Sequence, residues 1–134
     1  MAAANSVAPA GARINVPRVL IGGIAAGGVW SVWSVFVNVA LVGGRYASAQ
    51  AAGQLLAQPR YPAFLGVWIV TLFLAAFGLA WLYAASRATL GAGPATAMKL
   101  GILAGFFLGF PVNLSVAAWL PLSRYVPLWW MVDL

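Results

Sequence analysis

Three stretches of this chain run the length of a bilayer with almost no charge. The first lies between Arg18 and Arg45, the second runs from Tyr61 to Ser86 and is closed by Arg87, and the third covers 95–120 with a single Lys99 near its start. About 20 apolar residues cross the hydrocarbon core as a helix, so each stretch is long enough to span with some tilt. Composition agrees: 64% of residues are hydrophobic and 6% are charged, against about 25% charged in an ordinary soluble domain. A water-soluble chain of 134 residues has too little interior to hide that much apolar surface, whereas lipid can cover it.

Local signals sharpen the boundaries. Pro17 suits the first turn of a helix, where its missing N–H costs nothing. Gly43-Gly44 reads as the stop of the first span. Ala47 to Gln58 is rich in Ala and Gln and reads as a short helix on the membrane surface, ended by Pro59 and Pro62. Leu90-Gly91-Ala92-Gly93-Pro94 is a tight turn, which forces the spans on either side to pack antiparallel. Pro111 falls mid-span and should bend the third helix. Pro121 and Pro127 bracket a loop at Ser123-Arg124-Tyr125. Beyond it, 128–134 opens like another crossing but is too short to span, so it should lie in the interface, pack on a partner or belong to a longer chain.

The expected fold is therefore an all-α membrane protein with one transmembrane domain, 1–134. It has an Ala-rich tail at 1–15, antiparallel transmembrane helices at 17–43, 62–86 and 95–120, a short interfacial segment after the first, and the start of a possible fourth helix at 128–134. No positive residue precedes Arg13, and the first apolar run is about twice the length of a signal-peptide core, which reads as a retained helix.

The formal net charge of +6 comes from single residues, Arg13, Arg18, Arg45, Arg60, Arg87, Lys99 and Arg124. Nucleic acid is recognised by clustered basic residues; these instead flank the apolar runs, as interface anchors do. Arg18 and Arg45 should sit at opposite interfaces. With three crossings, Arg13, Arg18, Arg87 and Lys99 share one side and Arg45, Arg60 and Arg124 the other. That slight bias favours a cytoplasmic N-terminus.

Small residues recur at a spacing of four: Gly23 and Gly27 in the first span, continued by Ser31, Ser34 and Asn38, and Gly101, Gly105 and Gly109 in the third. Residues four apart share a helix face. In lipid, close backbone approach and interhelical hydrogen bonds must supply the association that the hydrophobic effect supplies in water. These stripes therefore pack either the helices of this chain or a seam between subunits. The closest contacts are expected between the first and third spans.

Asn38 and Asn113 are the strongly polar residues inside the spans, and an amide in hydrocarbon needs a partner. They can bond each other, a Ser, or the carbonyl freed at Pro111; the alternative role is a ligand contact. Trp30 and Trp33 are the matching aromatic candidates for a flat cofactor such as chlorophyll, carotenoid or quinone, although belts of Trp and Tyr at the interfaces account for most aromatics in such chains. Trp129 and Trp130 read as interface anchors. Bound lipid is expected.

Catalysis has little to use. The chain has no His and no Cys, and its one acid is Asp133, so neither a metal site nor a carboxylate pair can be assembled from its side chains. The interiors of the three spans hold no ionisable group, where pumps and transporters usually place one. No enzymatic role is expected.

At Val16-Pro17-Arg18-Val19-Leu20-Ile21-Gly22-Gly23, at Trp81-Leu82-Tyr83-Ala84-Ala85 and at the Gly91-Ala92-Gly93-Pro94 turn, the chain resembles a group of small uncharacterised bacterial integral membrane proteins with about four transmembrane helices. The resemblance covers most of the chain from Asn15 onward. It implies a helical membrane fold and no catalytic residue. Together with the absence of site chemistry, the expectation is an accessory subunit of a multi-subunit bacterial inner-membrane complex, respiratory or photosynthetic. The alternative is a homo-oligomeric small channel or carrier.

Overall fold

A computed structural model describes residues 14–134. The expected tail lies almost wholly outside the described residues. The first span is α1, Val16–Phe36, extended by a π-turn at Val37–Leu41; then come α2, Gly43–Ala51, α3, Phe64–Leu90, α4, Pro94–Trp119, and α5, Tyr125–Asp133. Among the described residues three helices are long and apolar enough to cross a membrane, at 16–41, 64–90 and 94–119. The chain is an all-helical membrane protein.

Each end has a local cause. Asn15 caps α1, its Oδ1 accepting the Arg18 N–H at 3.1 Å, with Pro17 in the first turn. The turn between α3 and α4 uses Gly91 and Gly93 at φ of 81° and 145°, backbone that L side chains rarely adopt. Tyr83 and Thr96 lock it: the Tyr83 hydroxyl accepts the Gly93 N–H at 3.0 Å and Thr96 donates to the Leu90 carbonyl at 3.1 Å. α3 runs past the expected end at Ser86, carrying Arg87 in its last turn.

Two expected boundaries move. Gly43-Gly44 does not stop a helix but begins α2, because the π-turn and Val42 already redirect the chain; Val42 N–H donates to the carbonyl of Val37, five residues back, at 3.0 Å. The surface helix is accordingly early and short. It ends at Ala51, and 52–63 is turn and irregular backbone, with Gly53 at φ 70°.

The tightest packing joins α1 to α3, the first span to the second, and not to the third as the glycine stripes suggested. A Cβ at Gly23 would overlap the ring of Phe77, and one at Gly27 the ring of Phe73. Both pairs are four apart, and they pair in opposite chain directions, so each ring fills the notch left by a glycine in an antiparallel register. Buried Val19, Leu72 and Ala76 complete that seam.

The stripe on α4 divides. Nothing lies within 4 Å of a Cβ built at Gly101, whereas those at Gly105 and Gly109 would meet Leu134 just past α5, at 3.4 Å and 3.1 Å. α5 thus packs between α1 and α4 and reaches the middle of both, instead of lying flat in the interface. Its root is a small core of Val37, Val42 and Val126, flanked by Leu41, Tyr46, Trp129 and Trp130.

Candidate functional site

The last turn of α5 brings Asp133, the chain's one acid, against the inner face of α1, where it is 4% exposed. Its Oδ2 accepts from Ser34 Oγ at 2.8 Å and from Asn38 Nδ2 at 3.1 Å. Two chains of donors converge on that oxygen. In one, Trp130 Nε1 donates to the Tyr46 hydroxyl at 2.6 Å and Tyr46 donates to Asn38 Oδ1 at 2.5 Å. In the other, Trp68 Nε1 on α3 donates to Ser34 Oγ at 3.3 Å. Both chains of donors run toward the carboxyl, an arrangement in which successive bonds polarise one another in a medium of low dielectric.

Backbone geometry makes this possible. An isolated α-helix would present Ser34 and Asn38 one turn apart, and the π-turn that starts at Val37 breaks the ladder there. Asn38 takes up the loosened backbone by donating to the Ser34 carbonyl at 2.9 Å. Single π-turns inside helices concentrate at functional positions. The end of α5 is bonded as well: Trp30 Nε1 donates to the Asp133 carbonyl at 2.7 Å, and Trp33 Nε1 to the Val132 carbonyl at 3.3 Å. A helix C-terminus in a membrane interior leaves carbonyls that need such donors.

One acceptor is left over. Asp133 Oδ1 is buried and has no hydrogen-bond partner among the described residues. Beside it, Trp30, Trp33, Leu79 and Val132 line an open apolar cleft of about 560 Å³.

Of the four candidate ligand contacts, the structure assembles three. Asn38, Trp30 and Trp33 surround α5, and the amide of Asn38 finds a Ser as partner. Asn113 stands apart: it is buried and donates to the Gly109 carbonyl of its own helix at 2.9 Å, bonding neither Asn38 nor the carbonyl freed at Pro111. Trp130 serves the polar cluster through its N–H. Trp129 stacks edge-on against Tyr125, with ring centroids 6.0 Å apart. Arg45 of α2 lies over the Tyr125 ring, 5.1 Å from its centroid, so α2 and the start of α5 share one end of the bundle. Arg18 is exposed at the opposite end.

Asp133, Tyr46 and Trp68 were not singled out as site residues by sequence reasoning. The spans themselves are free of acid, as expected, yet α5 carries one into their midst. An acid enclosed by Val132 and Leu134 at the end of an aromatic run was the available signal, since a carboxyl in such surroundings needs buried partners.

The chain matches no known family model, no curated protein and no solved structure.

Proposed function

We propose that the chain is a non-catalytic, structural subunit of a multi-subunit membrane complex. It would sit in a bacterial inner membrane with its N-terminus on the cytoplasmic side and stabilise its neighbours and their bound lipids or pigments. An energy-transducing host, respiratory or photosynthetic, suits a small helical chain of this kind.

The observation that carries the reading is how little of each span the chain covers for itself. Between 11% and 17% of the most apolar stretch of each span is buried, while Ser34 and Asn38 of the first span are used to seat α5. Along α4, Ile102, Phe106, Phe107 and Val112 are all exposed. Apolar faces of that extent suit lipid and partner helices alike. The open cleft beside Trp30 and Trp33 has room for a lipid tail or a flat pigment.

The test is extraction of the tagged chain in mild detergent, followed by native electrophoresis and mass spectrometry. Comigration with larger subunits in fixed proportion is expected. A discrete homo-oligomer containing nothing else would overturn the reading.

The unpartnered Asp133 Oδ1 favours a second reading, a homo-oligomeric channel or carrier, because a buried carboxyl oxygen without a donor is a natural stop for a proton or small cation. Proton or monovalent-cation flux into vesicles holding the purified chain, lost in Asp133→Asn, would support it. Flux equal to that of empty vesicles removes it.

A further inference from the structure

At the end of the bundle away from Asp133, the first turn of α1 and the last turns of α3 enclose a cleft of about 270 Å³. Arg18 and Arg87 line it from opposite helices, with Asn15 and Tyr83 beside them. We infer that this cleft binds the phosphodiester headgroup of an anionic phospholipid, with Arg18 and Arg87 gripping the phosphate.

Two guanidinium groups sharing one cleft repel each other unless an anion lies between them. The chain has no acidic side chain to place there. Its single acid is Asp133, bonded to Ser34, which lies about 24 Å along α1 from Arg18 at 1.5 Å per residue. The neutral groups in the cleft have donors to spare. Asn15 uses its side-chain oxygen to cap α1, and its amide N–H groups have no partner among the described residues. Tyr83 accepts from the turn at Gly93, leaving its own hydroxyl proton to donate. A guanidinium fork matches a phosphate with two parallel bonds, where an ammonium offers only a point charge.

The floor of the cleft points to a lipid rather than a free anion. Gly22, Ala80 and Ala84 form it, and nothing lies within 4 Å of a Cβ built at Gly22. The groove is therefore shallow and open. It continues along the same face of α1 toward Ala25, Ala26 and Val29, which line the next cleft; Val29 is exposed there and an acyl chain can follow. The height is right as well, since Arg18 and Arg87 stand at the ends of two spans, where headgroups lie. The other end differs in kind: Arg45 is occupied by the Tyr125 ring.

The experiment is native mass spectrometry of the full chain, purified in detergent with equal amounts of phosphatidylglycerol and phosphatidylcholine. The wild type should retain phosphatidylglycerol preferentially. A basic residue near an anionic lipid surface is worth about fivefold, so the Arg18→Gln, Arg87→Gln double variant should lose roughly twenty- to thirtyfold. Arg60→Gln with Arg124→Gln removes the same charge at the other end and should leave retention unchanged. Arg18→Lys with Arg87→Lys keeps the charge and loses the fork, so its loss should be intermediate. That variant decides the matter if the Gln pair fails to keep its helical circular dichroism. Retention in the Gln pair equal to wild type overturns the assignment, as does an equal loss in the Arg60, Arg124 pair. Displacement of phosphatidylglycerol by millimolar inorganic phosphate would reassign the cleft to a soluble anion and overturn the lipid.

Discussion

Replacing Asp133 by Ala should release α5 from the bundle. The substitution removes Oδ2 and with it the acceptor for both Ser34 and Asn38. Side-chain hydrogen bonds between membrane helices are worth about 0.6 kcal/mol on average and up to about 1.7 kcal/mol each, so losing two costs about 1–3 kcal/mol. The population of undocked α5 should then rise about 5- to 150-fold, at a factor of ten per 1.4 kcal/mol. The chain contains no cysteine, so a single reporter thiol is unambiguous. Val126 is 1% exposed at the root of α5, and Val126→Cys should react with a maleimide only when α5 leaves its seat. Asp133→Ala should raise that labelling rate within the stated range. Asp133→Asn, which keeps a carbonyl oxygen at the position of Oδ2, should raise it far less. An unchanged rate in Asp133→Ala would refute the idea that the polar cluster holds α5. Equal acceleration by Ala and Asn would show that the carboxylate charge matters and the acceptor geometry does not.

Other consequences can be measured on the same protein. Gly27→Ala should destabilise the α1–α3 pair by about 1–3 kcal/mol through overlap with Phe73, while Gly101→Ala, with open space around it, should be neutral or stabilising by up to about 1 kcal/mol from helix propensity; unfolding in sodium dodecyl sulfate, followed by circular dichroism, compares the two. Trp130→Phe keeps the ring but removes the donor to Tyr46, and should speed labelling at Val126→Cys by about 3- to 20-fold, the equivalent of one such bond. Burial pushes the Tyr46 phenol above its ordinary value of 10.0, opposed by the Trp130 bond and aided by the negative charge of Asp133. A group whose folded value is raised contributes stability that is complete below pH 10 and is lost as pH rises through the folded value. The difference in thermal stability between wild type and Tyr46→Phe should therefore be constant below pH 10, and the wild type should lose stability faster than Tyr46→Phe above it.

Much of the fold was legible because its cause is local or compositional. Long uncharged runs bounded by Arg18, Arg45, Arg87 and Arg124 have few resting places other than a bilayer, and the Gly91–Gly93 turn leaves its flanking helices little choice but to run antiparallel. The site was legible only in part. Asn38 stood out because an amide in hydrocarbon is costly wherever it points. Asn113 stood out for the same reason, yet its bond to the Gly109 carbonyl closes within its own helix, and nothing in the sequence distinguishes that outcome from a bond across helices. The glycine stripes announced close packing without naming the partner, since a notch accepts a phenyl ring or a chain end equally well.

What the sequence determined by itself was the solvent. With 6% charged residues, the free energy of leaving water dictates helices, their number and their alternating direction, because backbone groups in lipid must be bonded within their own segment. What only the tertiary structure decided was which face meets which. Val126 to Asp133 has the hydropathy of a surface segment or of a span, and its length favours neither. It turns inward because Trp30 and Trp33 cover its terminal carbonyls, Ser34 and Asn38 receive its carboxyl, and Gly105 and Gly109 leave space for Leu134. Those partners lie about a hundred residues away on the first span and 25 to 29 residues away on α4, and apolar contact in lipid is too nearly neutral in energy to choose among faces. The choice falls to a few hydrogen bonds and the shape of a notch, which exist only once the helices stand side by side.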